Sequence, residues 1–128
     1  MLNVTITTAV TASVSATLQL INVRNLYIQG KFTYGSGGTS AKAWLQTSLD
    51  GGTSWIDIAN FAFTTATATR VYSLDGTAVT TIYTPTDATL TDNTVKNGIL
   101  GDKYRVKYTT TGTYAGSTTL AVSIVAGR

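Results

Sequence analysis

The side chains that most often perform chemistry in proteins are scarce in this chain. The sequence contains no His, no Cys and no Glu, and its acidic residues are six Asp. General bases, thiolate nucleophiles and transition-metal ligands are drawn mainly from the missing types. Thr occurs 27 times, but a hydroxyl without a neighbouring base is a weak nucleophile. We therefore predict a protein that is not an enzyme, with no catalytic residues, no cofactor and no metal.

Asp87 and Asp92 are the carboxylates whose spacing comes nearest to a metal site. They lie five residues apart in a Thr-rich segment that also contains Asn93, and such oxygen ligands suit Ca²⁺. The spacing matches no defined calcium loop, and Asp residues in irregular segments commonly form Asx turns. We interpret both as turn residues, and we expect the segment from Thr86 to Asn97 to contact a partner.

The segment SLDGGTSW, residues 48–55, resembles the Asp-box pattern S-x-D-x-G-x-T-W, with Ser54 where the pattern has Thr. An Asp at its third position can accept hydrogen bonds from backbone N–H groups across the turn, and both Gly can adopt positive φ. The Trp ring can pack beneath the hairpin. Sialidases carry this pattern far from their chemistry, which uses a Glu and three clustered Arg. We predict a turn staple rather than a catalytic site, formed by Ser48, Asp50, Gly52 and Trp55.

Lys103, Arg105 and Lys107 alternate along one predicted strand, which puts three positive charges on one face, about 6 to 7 Å apart. Such a row is typical of a solvated face or of an edge strand that charge protects from pairing. It can also dock on an acidic partner surface. We keep both interpretations and include the three residues in a candidate interface.

Trp44 lies on the otherwise polar face of its predicted strand, beside Lys42 and Gln46. An exposed Trp can stack on a sugar ring, which would make the domain a carbohydrate-binding module with a glycan partner. It can equally be the central residue of a protein interface. We favour the protein interface, which we assign to Trp44, Asp87, Asp92, Lys103, Arg105 and Lys107.

Length and composition limit the organisation of the chain. Its 128 residues fit one domain, residues 1–128. A net charge of +3, spread along the chain, predicts no nucleic-acid partner. No apolar run approaches the length of a membrane span, and the N-terminus lacks the features of a signal peptide, so we expect no membrane partner and no export.

Alternation of apolar and polar residues at period two recurs along the chain and predicts an all-β protein. About eight or nine strands, separated by turn signals, indicate a two-sheet antiparallel sandwich with jelly-roll-like connectivity. The strand order stays open, as does whether the first strand is donated to a neighbour. Gly30 in mid-strand suggests a bulge or a close backbone approach. The strands are expected at 2–6, 13–20, 26–34, within a hairpin at 41–63, near 67–74 and 77–84, and at 103–108 and 120–126, with an irregular segment from Pro85 to Gly101.

Two long segments, TYGSGGTSAKAWLQTSLDGGTSWIDIANFAF and GDKYRVKYTTTGTYAGSTTLAVSIVAG, look similar to small structural proteins in the virions of tailed bacteriophages. The resemblance covers most of the chain from about Phe32 onward. It implies a virion component made in the bacterial cytoplasm, foremost a capsid decoration or cement protein. Its implied partners are the major capsid protein, other virion proteins and further copies of itself. A tail or head–tail junction component is the nearest variant, and a carbohydrate-binding module is the alternative from another class.

Overall fold

The computed structural model describes residues 2–6, 9–78 and 82–128, of which Leu2 and residues 10–12 are described by their backbone alone. The described chain forms strands joined by turns and loops. Among these residues no helix is long and apolar enough to cross a membrane. The strands are β1 (Leu2–Thr5), β2 (Val10–Val14), β3 (Leu18–Gln19), β4 (Asn25–Thr33), β5 (Ser36–Gly37), β6 (Ser40–Ser48), β7 (Ile56–Phe63), β8 (Ala68–Asp75), β9 (Lys103–Thr111), β10 (Tyr114–Ala115) and β11 (Thr119–Gly127).

Two antiparallel sheets face each other and form a β-sandwich, which confirms the predicted fold class. The first sheet has the order β1-β11-β4-β8, and the second has the order β2-β9-β6-β7 with β3 also paired to β9. Strands β5 and β10 form a small separate ribbon. The N-terminal strand β1 pairs with β11 of the same chain. Jelly-roll connectivity stays a prediction.

The core lies between the sheets and is rich in aromatic rings. Phe32 of the first sheet stacks on Phe63 of the second with ring centroids 5.1 Å apart, and Phe61 stacks on Tyr72 at 4.9 Å. Gly30 makes room for this contact, because a Cβ there would lie 2.7 Å from the Phe61 ring. Strand β4 pairs in unbroken register with both neighbours, so Gly30 marks a close approach and not a bulge.

Two predicted strands are wrong in part. Residues 13–20 form two short strands with a break at 15–17, where the Ser15 hydroxyl accepts a hydrogen bond from the Val106 N–H at 2.9 Å. That side chain takes the place of a backbone acceptor. Val14 and Leu18, on either side of the break, are exposed. The strand expected near 77–84 is absent at residues 77, 78 and 82–84, while residues 79–81 lie outside the described part.

The hairpin β6–β7 is present, but the expected polar outer face of β6 is not exposed. Gln46 on β6 and Asp57 and Asn60 on β7 have no exposed surface. The reason is a later part of the chain, residues 84–98, which lies over this face and along the free edge of β7. We call it the cover segment. As predicted it is irregular, with one isolated bridge from Val95 to Ala59.

Candidate functional site

The carboxylate of Asp57 organises the polar surface of the second sheet. It is fully buried and accepts five hydrogen bonds from the chain. Gln46 Nε2 donates to Oδ1 at 2.8 Å and Thr86 Oγ1 donates to Oδ2 at 2.8 Å. Three successive backbone N–H groups supply the others, from Ala88 at 2.9 Å, Thr89 at 3.0 Å and Leu90 at 3.2 Å. The cover segment thus binds this carboxylate as a backbone nest binds an anion.

A β-bulge in β7 directs Asp57 outward. Gln46 pairs with Asp57 and Leu45 pairs with Ala59, which leaves Ile58 as the extra residue on β7. An extra residue shifts the alternation of side chains between the two faces of a sheet. Ile58 therefore remains in the core while Asp57 faces the cover segment.

The cover segment also pairs with the backbone of β7. Asp57 N–H donates to the Thr86 carbonyl at 3.1 Å, Asn60 N–H donates to the Thr94 carbonyl at 2.9 Å, and Lys96 N–H donates to the Ile58 carbonyl at 2.8 Å. The Asn60 side-chain carbonyl accepts from the Asn93 N–H at 2.7 Å. These contacts satisfy groups that an open edge strand would present to another chain.

Asp87 gathers two of the predicted basic residues into one cluster. Its Oδ1 accepts from Gln46 Nε2 at 2.7 Å and from Lys107 Nζ at 3.0 Å, with Arg105 Nη2 at 3.9 Å. The hydrogen bond from Gln46 is the main cause that holds the pKa of Asp87 below its ordinary value. The hydrogen bond and charge of Lys107 and the charge of Arg105 act in the same direction. Asp87 is therefore the counter-ion of both Lys107 and Arg105.

The three basic residues of β9 are less exposed to a partner than the sequence indicates. Lys103, Arg105 and Lys107 do face away from the core, but β9 is a central strand between β6 and β2, so the edge-strand interpretation is wrong. The side chains of Arg105 and Lys107 are only 18% exposed. The Arg105 guanidinium lies 4.4 Å from the Trp55 ring centroid, and Lys103 Nζ donates to the Gly51 carbonyl at 3.0 Å.

Trp44 is buried, so the expectation of an exposed ring is wrong. Only 6% of the residue is exposed, and its indole Nε1–H donates to the Leu90 carbonyl at 3.0 Å. The cover segment lies over the ring because Asp57 fixes the backbone of Leu90 beside it. A Trp in this position cannot serve as a sugar platform or as the central residue of a protein interface.

A groove of about 620 Å³ opens beside the buried Trp44. The exposed ion pair between Lys42 Nζ and Asp92 Oδ1, 2.9 Å apart, lies at this groove. Hydroxyl groups of both strands and cover segment supply most of the other polar atoms. The lining residues are Ser40, Lys42, Trp44, Ala88, Thr89, Leu90, Thr91, Asp92, Thr109 and Thr111.

The turn at residues 48–55 has the hydrogen bonds expected of a staple. Asp50 Oδ1 accepts from the Ser54 N–H at 2.9 Å and from the Ser48 hydroxyl at 2.8 Å, while Gly52 N–H donates to Ser48 Oγ at 2.9 Å. Gly51 and Gly52 have φ of 74° and 98°. The hydrogen bonds from Ser54 lower the pKa of Asp50 to about 2.

The described residues contain no group of three or more Asp, Glu, His or Cys that could hold a metal ion. Asp87 and Asp92, the pair considered for Ca²⁺, take separate partners, Lys107 and Lys42. Sequence reasoning missed Asp57, although a single Asp inside the apolar run IDIANFAF was a usable signal. A buried charge requires several donors, so such an Asp predicts a segment folded over it.

Comparison with protein-family models, with curated proteins and with solved structures gives no match for this chain.

We expect Asp57→Ala to lower the free energy of unfolding by at least about 3 kcal/mol, because several buried donors lose their acceptor at about 1–3 kcal/mol each. Urea unfolding of the purified chain measures this change. The control is Asp92→Ala, which removes an exposed ion pair and should cost about 0–1 kcal/mol. Equal losses in the two variants would show that Asp57 does not hold the cover segment.

We expect the Asp50 carboxyl to titrate at a pH of about 2 in the folded protein, and Ser54→Ala to move its pKa upward toward the ordinary value of 3.8. A pKa that folding lowers contributes stability above pH 3.8, and this contribution disappears as the pH falls to about 2. NMR titration of the carboxyl carbon measures both values, with Ser123→Ala as the control. An unchanged pKa in Ser54→Ala would contradict the staple.

Proposed function

We propose that this protein is a non-enzymatic structural component of a bacteriophage virion, and specifically a capsid decoration or cement protein that binds the major capsid protein. The observation that carries the proposal is that the Asp carboxylates bond to other groups of the same chain. Five of the six Asp bond to the chain's own turns, cover segment or basic residues, so their charge supports the shape of a surface. They are Asp50, Asp57, Asp75, Asp87 and Asp92.

A surface fixed in this way is suited to repeated binding. The five hydrogen bonds of Asp57 order the cover segment before any partner arrives, so less conformational entropy is lost on binding. On a capsid, each copy can form modest contacts with several subunits, and multivalent attachment compensates for weak single contacts. The resemblance to virion structural proteins supports the same conclusion.

We assign the capsid-binding surface to the groove beside Trp44 and the exposed side of the cover segment. Thr89, Thr91 and Asp92 are exposed there, and the Lys42–Asp92 pair gives the surface both signs of charge. The carbohydrate-binding alternative loses its main support, since the aromatic platform it needs, Trp44, is buried. A tail or head–tail junction component remains the nearest variant of the proposal.

The test is co-sedimentation of the purified chain with capsids of the phage that encodes it, after accessory proteins have been removed. We expect saturable binding at a simple ratio to the capsid subunit. The double variant Thr89→Arg/Thr91→Arg should lower bound copies at least about tenfold, because its bulky charged side chains obstruct the groove. Only the backbone of Thr89 bonds to Asp57, so the cover segment keeps its attachment.

The matched control is Asn3→Arg/Thr5→Arg, which adds the same charges with the same spacing to exposed positions of β1, at the other edge of the first sheet from β8. It should bind as the unmodified chain does. Absence of binding to capsids, together with binding to isolated tails or portal complexes, would replace the decoration role by the tail or junction role. Absence of binding to any virion part would overturn the proposal.

A further inference from the structure

Strand β8 is the least protected strand edge in the sandwich. The free edge of β7 is covered by residues 84–98, the β2 edge is interrupted by a register shift between Val10 and Ser13, and β1 has four residues. Strand β8 has eight residues, ATRVYSLD, with no Pro and no Lys. Within the described part of the chain, no strand pairs with β8 on the side away from β4. Of the usual devices against edge pairing it has a single inward-facing charge, Arg70, whose Nε donates to the Ala62 carbonyl at 3.3 Å.

The pairing of Asp75 identifies which backbone groups of β8 are open. Asp75 N–H donates to Asn97 Oδ1 at 2.9 Å, and the Asp75 carbonyl accepts from the Gly98 N–H at 3.0 Å. Both groups face away from β4, and backbone direction in an antiparallel strand repeats every second residue. Thr69, Val71 and Ser73 therefore present their N–H and carbonyl groups at this edge. The open stretch is Ala68–Leu74, and its centre is Val71.

We propose that β8 pairs antiparallel with β8 of a second copy of this chain, with Val71 opposite the partner's Val71. The two first sheets then form one continuous eight-stranded sheet across a twofold axis. A twofold contact places the same patch on both subunits, so the patch must be self-complementary. This inference does not rest on the virion role, since it concerns the purified chain alone.

The side chains of β8 are complementary to themselves in this register. Val71 faces the partner's Val71, and Thr69 faces the partner's Ser73, both favourable pairs on the outer face. On the inner face Arg70 lies opposite the partner's Tyr72, and its guanidinium stays over the Phe63 ring of its own subunit. No like charges meet directly across the axis.

Charge also favours the antiparallel direction. Lys31 of β4 pairs with Thr69 and places a positive charge near one end of β8 on the outer face of the sheet. The exposed Asp75 places a negative charge at the other end of β8. Antiparallel pairing brings the positive end of each subunit toward the negative end of the other, whereas parallel pairing would align like charges.

An apolar patch on the outer face adjoins the same edge. Tyr27, Val71 and Val125 are 49%, 67% and 66% exposed and surround a shallow depression of about 200 Å³. Val125 pairs with Tyr27, and Val71 pairs with Gln29 two residues further along β4. Because Val71 lies at the proposed axis, pairing joins the two patches into one apolar strip.

Sedimentation velocity of the full chain over a range of concentrations tests the pairing. We expect a monomer–dimer equilibrium whose dissociation constant rises at least about tenfold in Val71→Lys, because two Lys would face each other. The control is Leu49→Lys, at a position of almost equal exposure in the turn after β6 of the second sheet, away from β8 and from the apolar patch. It should leave the equilibrium unchanged. A monomer at every concentration, or equal effects of both variants, would overturn the proposal.

Disulfide cross-linking tests the register, since the chain has no Cys of its own. A hydrogen-bonded antiparallel pair has Cα atoms about 5.5 Å apart, which is within the range of a disulfide. Val71→Cys should therefore oxidise to a covalent dimer. In Thr69→Cys the two Cys would be displaced by four residues, about 13 Å along the strand, and should not cross-link. Equally fast cross-linking in both variants would contradict the register.

Discussion

A buried carboxylate needs hydrogen-bond donors. The position of the cover segment over the second sheet follows from how the chain supplies such donors to Asp57. Removing a carboxylate from water is costly unless hydrogen bonds replace its hydration. Two of its donors are side chains, from Gln46 and Thr86, and three are backbone N–H groups of the cover segment. The bulge in β7 directs the carboxylate outward, and the cover segment must lie over it to reach it. The coverage of the β7 edge and the burial of Trp44 are consequences of that position.

The two outer faces of the sandwich consequently differ in character. In the second sheet the cover segment lies over the outer face near β6 and β7, and the basic residues Arg105 and Lys107 bond to Gln46 and Asp87. The first sheet is bare and carries exposed apolar side chains such as Tyr27 and Val125. The proposed capsid contact uses the covered part of the second sheet, and the proposed pairing of copies uses the open edge of the first sheet.

Sequence patterns predicted the strands well wherever alternation at period two was regular. Strands β4, β6, β7, β9 and β11 were expected near their observed positions, and so was the turn formed by Ser48, Asp50 and Gly52. Alternation shows which residues share a face of a strand, but it does not show whether a distant segment covers that face. The cover segment is such a segment: it buries Trp44, and its Asp87 pairs with Lys107 and Arg105. Both features were missed in the sequence analysis for this reason. The two-residue strands β5 and β10 were missed because so short a run carries no periodicity.

Amide hydrogen exchange of the unmodified chain tests the central claim most directly. If Asp57 fastens the cover segment to β7, the amides of Ala88, Thr89 and Leu90 exchange about as slowly as those of the central strands β6 and β9, since they open only with the sandwich. Lys96, whose N–H donates to the Ile58 carbonyl, should show the same protection. Exchange of these four amides at the rate of an unstructured peptide, beside protected strands, would mean that the segment moves independently of the sandwich and would contradict the account.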